Sequence, residues 1–171
     1  MTTIDAATSG DATQDAHDAA AACASTGSQA DLHEALVSTQ SGRRVWIVRA
    51  REEETFVTLV IREREGENLA PSQGVFGDEQ LLPSSAQVSM LVQTDCHAHG
   101  DHYHCGPSYV PGSGTWRIVK LGNTAGSEFA VTLNASLRAV RNTSGGYAPI
   151  EDDVSSLCVE NLALEGLMAA P

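Results

Sequence analysis

Between Arg44 and Ala139 apolar and polar residues alternate with a period near two, and clusters of Gly, Pro and Ser cut the pattern into short runs. VWIVRA and TFVTLVI stand on either side of the polar stretch REEE, which predicts a hairpin. AQVSMLVQ presents Val88, Met90 and Val92 to one face. The clearest run lies over 129–139, where Phe129, Val131, Leu133, Ala135, Leu137 and Ala139 point one way and Thr132, Asn134, Ser136 and Arg138 the other. A half-buried antiparallel strand requires this alternation. Short strands separated by turn residues predict an all-β fold, an antiparallel β-sandwich or jelly roll.

Towards the ends the pattern dissolves. Residues 1–29 form a low-complexity acidic leader of Ala, Thr, Ser and Asp with little to bury, read as disordered or loosely attached. The segment ADLHEALVS, 30–38, fits a helical turn or a strand equally by periodicity. Residues 148–171 form an acidic C-terminal extension, in which Asp152 or Asp153 is expected to cap a short helix carrying Val154, Leu157, Cys158 and Leu162 inward. The sandwich is thus expected over 30–147, between poorly structured acidic flanks.

Charge sharpens these boundaries. The formal net charge is -12, yet all ten Lys and Arg lie between Arg43 and Arg141, so the acidity resides in the flanks. Without a basic stripe, nucleic acid is excluded as a partner, since phosphate binding draws on clustered Lys and Arg. The flanks are read as solvating, ahead of an acidic code for a partner. No apolar run approaches the roughly 18 residues that would span a bilayer. The N-terminus lacks the basic-then-apolar layout of a signal peptide. Either the protein is intracellular or its export signal is missing from this chain.

Two separated pieces, together about a quarter of the chain, resemble the P/Homo B domain, the β-sandwich module that follows the catalytic domain of proprotein convertases. ADLHEALVSTQSGRRVWIV is similar to that family's Asp-Leu strand, Ser-x-x-Gly turn and returning strand. GSGTWRIVKLGNTAGSEFAVTLNASL is similar to its Gly-Thr-Trp strand, Asn-Thr-Ala-Gly turn and closing strand, with Gly114, Thr115, Trp116, Asn123, Thr124, Ala125 and Gly126 in the family's order. Glu34 departs from it, standing where an inward apolar residue is expected. Phe76, Asp78 and Glu79 correspond to an acidic stretch that the family associates with calcium. The resemblance implies a non-catalytic accessory or binding module, usually secreted, with a host enzyme domain or protein partner.

The candidate chemistry is concentrated in CHAHGDHYHC, 96–105, which packs four of the six histidines between two of the four cysteines. Four cysteines allow three pairings. Cys96 and Cys105 bracket one short segment, which leaves Cys23 and Cys158 to pair across the flanks. With Gly100-Asp101 at the tip of a two-residue hairpin, His99 faces His102, Ala98 faces Tyr103, His97 faces His104 and Cys96 faces Cys105. The four histidines then share one face, and the cysteines share the other with Ala98 and Tyr103. Imidazoles on neighbouring pairs, with Asp101 as a further donor, suit zinc, copper or nickel better than calcium. Such a site, structural or bridging between molecules, binds above the ordinary histidine pKa of about 6.5 and releases metal in acid. In the cytosol, reduced thiols would join the histidines as ligands.

Two other classes remain. HAHGDH, 97–102, fits the HxHxDH pattern of metallo-β-lactamase-like zinc hydrolases, although no histidine follows His104 to complete that family's ligand set. A subunit of a filament or virion shell, whose leader is ordered by self-assembly, is the third. No phosphate loop, GxSxG elbow or Cys-x-x-Cys is present. Trp46 and Trp116, inside predicted strands, are expected in the core rather than as stacking platforms.

Overall fold

The structure is a computed structural model that describes residues 24–25, 31–65, 69–84, 86–151 and 157–170. Its strands are β1 (Ala24–Ser25), β2 (Asp31–Gln40), β3 (Arg43–Glu52), β4 (Thr55–Arg62), β5 (Ser72–Phe76), β6 (Val88–Gln93), β7 (His97–His99), β8 (His102–His104), β9 (Ser108–Leu121), β10 (Glu128–Thr143), β11 (Gly146–Pro149) and β12 (Leu157–Leu167). A 3₁₀ turn over Asp78–Leu81 separates β5 from β6. The expected class, all-β and antiparallel, is what the chain adopts; among the described pairings β1 with β12 is parallel.

Hydrogen bonding runs through one ten-stranded sheet in the order β1-β12-β10-β9-β6-β4-β3-β2, with β11 added to β10 and β5 to β9. The sheet curls. Just beyond β12 the Ala169 N–H donates to the Ala35 carbonyl of β2 at 2.7 Å, so β2, at one end of the strand order, meets the chain that leaves β12 near the other. One core fills the inside, with Val48, Leu59, Ile61, Val92, Ile118, Val131, Leu133 and Leu164 all at 0–1% exposure. A curled sheet and a two-sheet sandwich both bury one face of every strand, so a period-two pattern reads the same for either.

The alternation over 129–139 holds residue by residue, with Phe129, Val131, Leu133, Ala135, Leu137 and Ala139 buried. Trp116 and Ile118 face the same core from β9, opposite Leu133 and Val131. Both tryptophans are core residues, as expected. Gly114 has φ of 136°, and a Cβ there would stand 2.1 Å from the Asn134 carbonyl oxygen, so only glycine lets β9 approach β10 at this point. The REEE turn joins β3 to β4 with Glu52 opposite Thr55.

The C-terminal extension differs from its expectation. Leu157–Leu167 is not helical but a strand between β1 and β10, so the domain runs well past residue 147. Val159, Leu162 and Leu164 all point inward. A register shift opposite Leu133/Ala135 and a positive φ of 51° at Asn161 mark a bulge. The extra residue stretches the inward spacing from two to three, which imitates helical periodicity. Asp152, Asp153 and Val154 lie outside the described residues, as does the leader apart from Ala24–Ser25.

The ambiguous 30–38 segment is mostly strand β2. Glu34 turns outward to Arg49, 2.7 Å away, because a register shift between Leu32 and Glu34 hands the inward position to Ala35. Gln80, which sequence reading passed over, is 1% exposed. Its amide donates to Val88 O at 2.8 Å and accepts from Met90 N at 3.1 Å. The pairing of β6 with β9 covers only Val92 and Gln93, and Gln80 satisfies backbone groups that β9 does not reach.

Candidate functional site

The histidine segment is the outer end of the ribbon formed by β6 and β9. Beyond the last sheet pair, Gln93 with Ser108, the two chains stay tied by Thr94 N to Pro107 O at 3.2 Å and Gly106 N to Thr94 O at 2.9 Å. Next comes the Cys96–Cys105 disulfide, with Cα atoms 3.9 Å apart. The hairpin register is the expected one: His97 with His104, Ala98 with Tyr103, His99 with His102. Gly100, at φ 67°, takes the left-handed position that a tight two-residue turn requires.

The two faces of this hairpin meet different surroundings. Tyr103 packs on Phe56 of β4 with ring centroids 4.8 Å apart, and its hydroxyl accepts from Arg51 Nη1 at 2.9 Å. The Arg51 guanidinium lies over both rings, 5.1 Å from the centroid of Tyr103 and 5.5 Å from that of Phe56. Cys96 is buried, and its N–H donates to the Glu54 carbonyl at 2.9 Å. The hairpin is therefore seated on the β3–β4 turn by contacts about 40 to 50 residues away in sequence, beyond the reach of any local pattern.

On the other face every histidine is exposed. His97 Nδ1 lies 3.1 Å from Glu54 Oε1, and His102 Nδ1 lies 3.0 Å from Asp101 Oδ1. His99 and His104, diagonal across the ribbon, have ring centroids 5.2 Å apart and planes at 89°. Among the described residues no three His, Cys, Asp or Glu side chains are grouped to hold an ion. What the hairpin brings together is a pair of rings. Asp101 lies beside His102 rather than beside the pair.

The remaining candidates lie elsewhere. Asp78 Oδ1 accepts from Arg138 Nη1 at 3.1 Å, while Glu79 Oε1 accepts from its neighbour Gly77 N at 3.1 Å, so these two carboxylates serve separate partners. Cys158 is disulfide-bonded, and Cys23, its expected partner, lies outside the described residues. Among the described residues no helix is long and apolar enough to cross a membrane. Sequence reading missed Arg51, Glu54 and Phe56 as the seat of the hairpin; the one signal was that REEE is unusually acidic for a turn. Compared with protein-family models, with curated proteins and with solved structures, the chain gives no match.

Proposed function

We propose that this chain is a secreted, non-catalytic β-sheet module whose stapled hairpin binds zinc or copper through histidine. The observation that carries the reading is the His99–His104 pair, 5.2 Å between ring centroids, on a ribbon pinned by a disulfide at its base and by Tyr103 on its other face. Pinning matters because a metal site loses less entropy when its ligands are already held near their bound positions. Imidazole nitrogen suits zinc and copper, and nothing in the pair favours a hard cation such as calcium. Residues 97–104 are exposed throughout, a layout for capture rather than for enclosing a substrate. Disulfides persist in oxidising compartments, which supports a secreted module, as does the resemblance to P/Homo B domains in GSGTW and NTAG.

Calorimetry on the untagged protein tests this. Zinc and copper are expected to bind saturably at about pH 7.5 and to be released by about pH 5.5, where protons compete for imidazole. His99→Ala with His104→Ala is expected to abolish binding. No saturable binding at the higher pH would sink the reading.

A further inference from the structure

We infer that the metal held by His99 and His104 is shared between two copies of this chain. The inference rests on the metal-binding reading above and names its partner. The pair supplies two nitrogens, whereas zinc in a structural site takes four ligands in a tetrahedron. Neither of the other two histidines of the hairpin, which lie beside Glu54 and Asp101, forms a group of three ligands with the pair, and among the described residues no other His, Cys, Asp or Glu does. An ion on the pair therefore keeps two coordination positions open to whatever approaches the hairpin from outside.

The geometry favours a second hairpin in those positions. β7 and β8 form their own two-stranded sheet, apart from the main one, and residues 97–104 are exposed on it. A second copy can thus bring its own His99 and His104 to the ion. Four imidazoles related by a two-fold axis through the metal fill the tetrahedron. The contact is isologous, so assembly closes at two and does not propagate.

Charge makes this association conditional on the ion. Each chain carries a formal net charge of -12, and Glu54 and Asp101 stand beside the histidines, so bare hairpins repel one another. A dication at the contact offsets that repulsion. Apparent metal affinity should accordingly rise with protein concentration, because the second pair of ligands arrives on another molecule.

Light scattering after size exclusion, on chelator-treated untagged protein at about pH 7.5 with zinc added stepwise, tests the inference alongside calorimetric stoichiometry. The expected result is a twofold rise in mass, complete at about half a zinc per chain, reversed by chelator and absent in His99→Ala/His104→Ala. Tryptophan fluorescence checks that this variant is folded. Saturation at one zinc per chain with the mass unchanged would overturn the shared ion while leaving the metal reading intact. No zinc binding would overturn both. A mass that doubles without zinc, or doubles equally in the double variant, would also overturn it.

Discussion

The indole Nε1 of Trp46 donates to the carbonyl oxygen of Gly122 at 2.8 Å, across 76 residues of chain. This bond joins β3 to the turn between β9 and β10, close to where the curled sheet shuts. The same turn is tied to the end of the chain by Gly126 N to Met168 O at 2.8 Å and Met168 N to Ser127 O at 2.9 Å. Trp46→Phe keeps most of the buried ring and removes the donor. It is expected to cost about 1 to 2 kcal/mol, the loss of one hydrogen bond plus an unsatisfied carbonyl. Urea unfolding measures this, and an unchanged midpoint would show that the bond is not part of the closure.

Glu63 sets an acid limb. Its side chain accepts from Arg44 Nε at 3.1 Å and from the Arg44 backbone N–H at 3.0 Å, and the two side chains also pair through Arg44 Nη2. The Arg44 side-chain hydrogen bond, followed by the backbone one, lowers the carboxyl from 4.5 to about 2. A lowered folded-state value means that Glu63 favours the folded state above pH 4.5 and loses that contribution as pH falls towards about 2. Glu63→Gln is expected to flatten the stability profile across this window. A variant as acid-sensitive as the parent there would assign the limb to other carboxylates.

The disulfide links cysteines nine residues apart. Closing so short a loop is expected to stabilise the fold by about 2 to 3 kcal/mol, and Cys96→Ser/Cys105→Ser should lose that amount in denaturant titration. Mass mapping of unreduced digests should recover one linked peptide spanning the hairpin. Free thiols at both positions in protein taken from its native source would contradict the secreted assignment. Cys96 is buried while the histidines are exposed on the opposite face, so reduction alone would not bring its sulfur to them.

Asn134 acts as a clamp on β12. Its Oδ1 accepts from the Asn161 backbone N–H at 2.8 Å, at the bulge where Asn161 has φ 51°. Asn134→Ala is expected to cost about 1 kcal/mol by freeing that N–H. Asn161→Val should cost more, because a β-branched residue resists the left-handed region that Asn tolerates. Asn161→Gly should be tolerated. If valine proved as stable as glycine at this position, the bulge would not be a constraint on the fold.

What the sequence determined by itself is local. Period-two alternation over 129–139, turn chemistry at Gly100-Asp101 and the spacing of Cys96 and Cys105 each act within a few residues, and β10, the hairpin register and the disulfide follow from them. The tertiary structure decided what depends on distant strands. A bulge at Asn161 breaks the inward period of β12 and disguises a strand of the main sheet as a helix, and it is recognised only beside β10. Closure of the sheet rests on Ala169 meeting Ala35, and alternation cannot report it, because burying one face is common to open, stacked and curled sheets. Four histidines on one face were legible from parity alone. Their division into an edge-to-face ring pair, His99 with His104, and two side chains beside Glu54 and Asp101 depends on rotamers and on the seat that Phe56 and Arg51 provide.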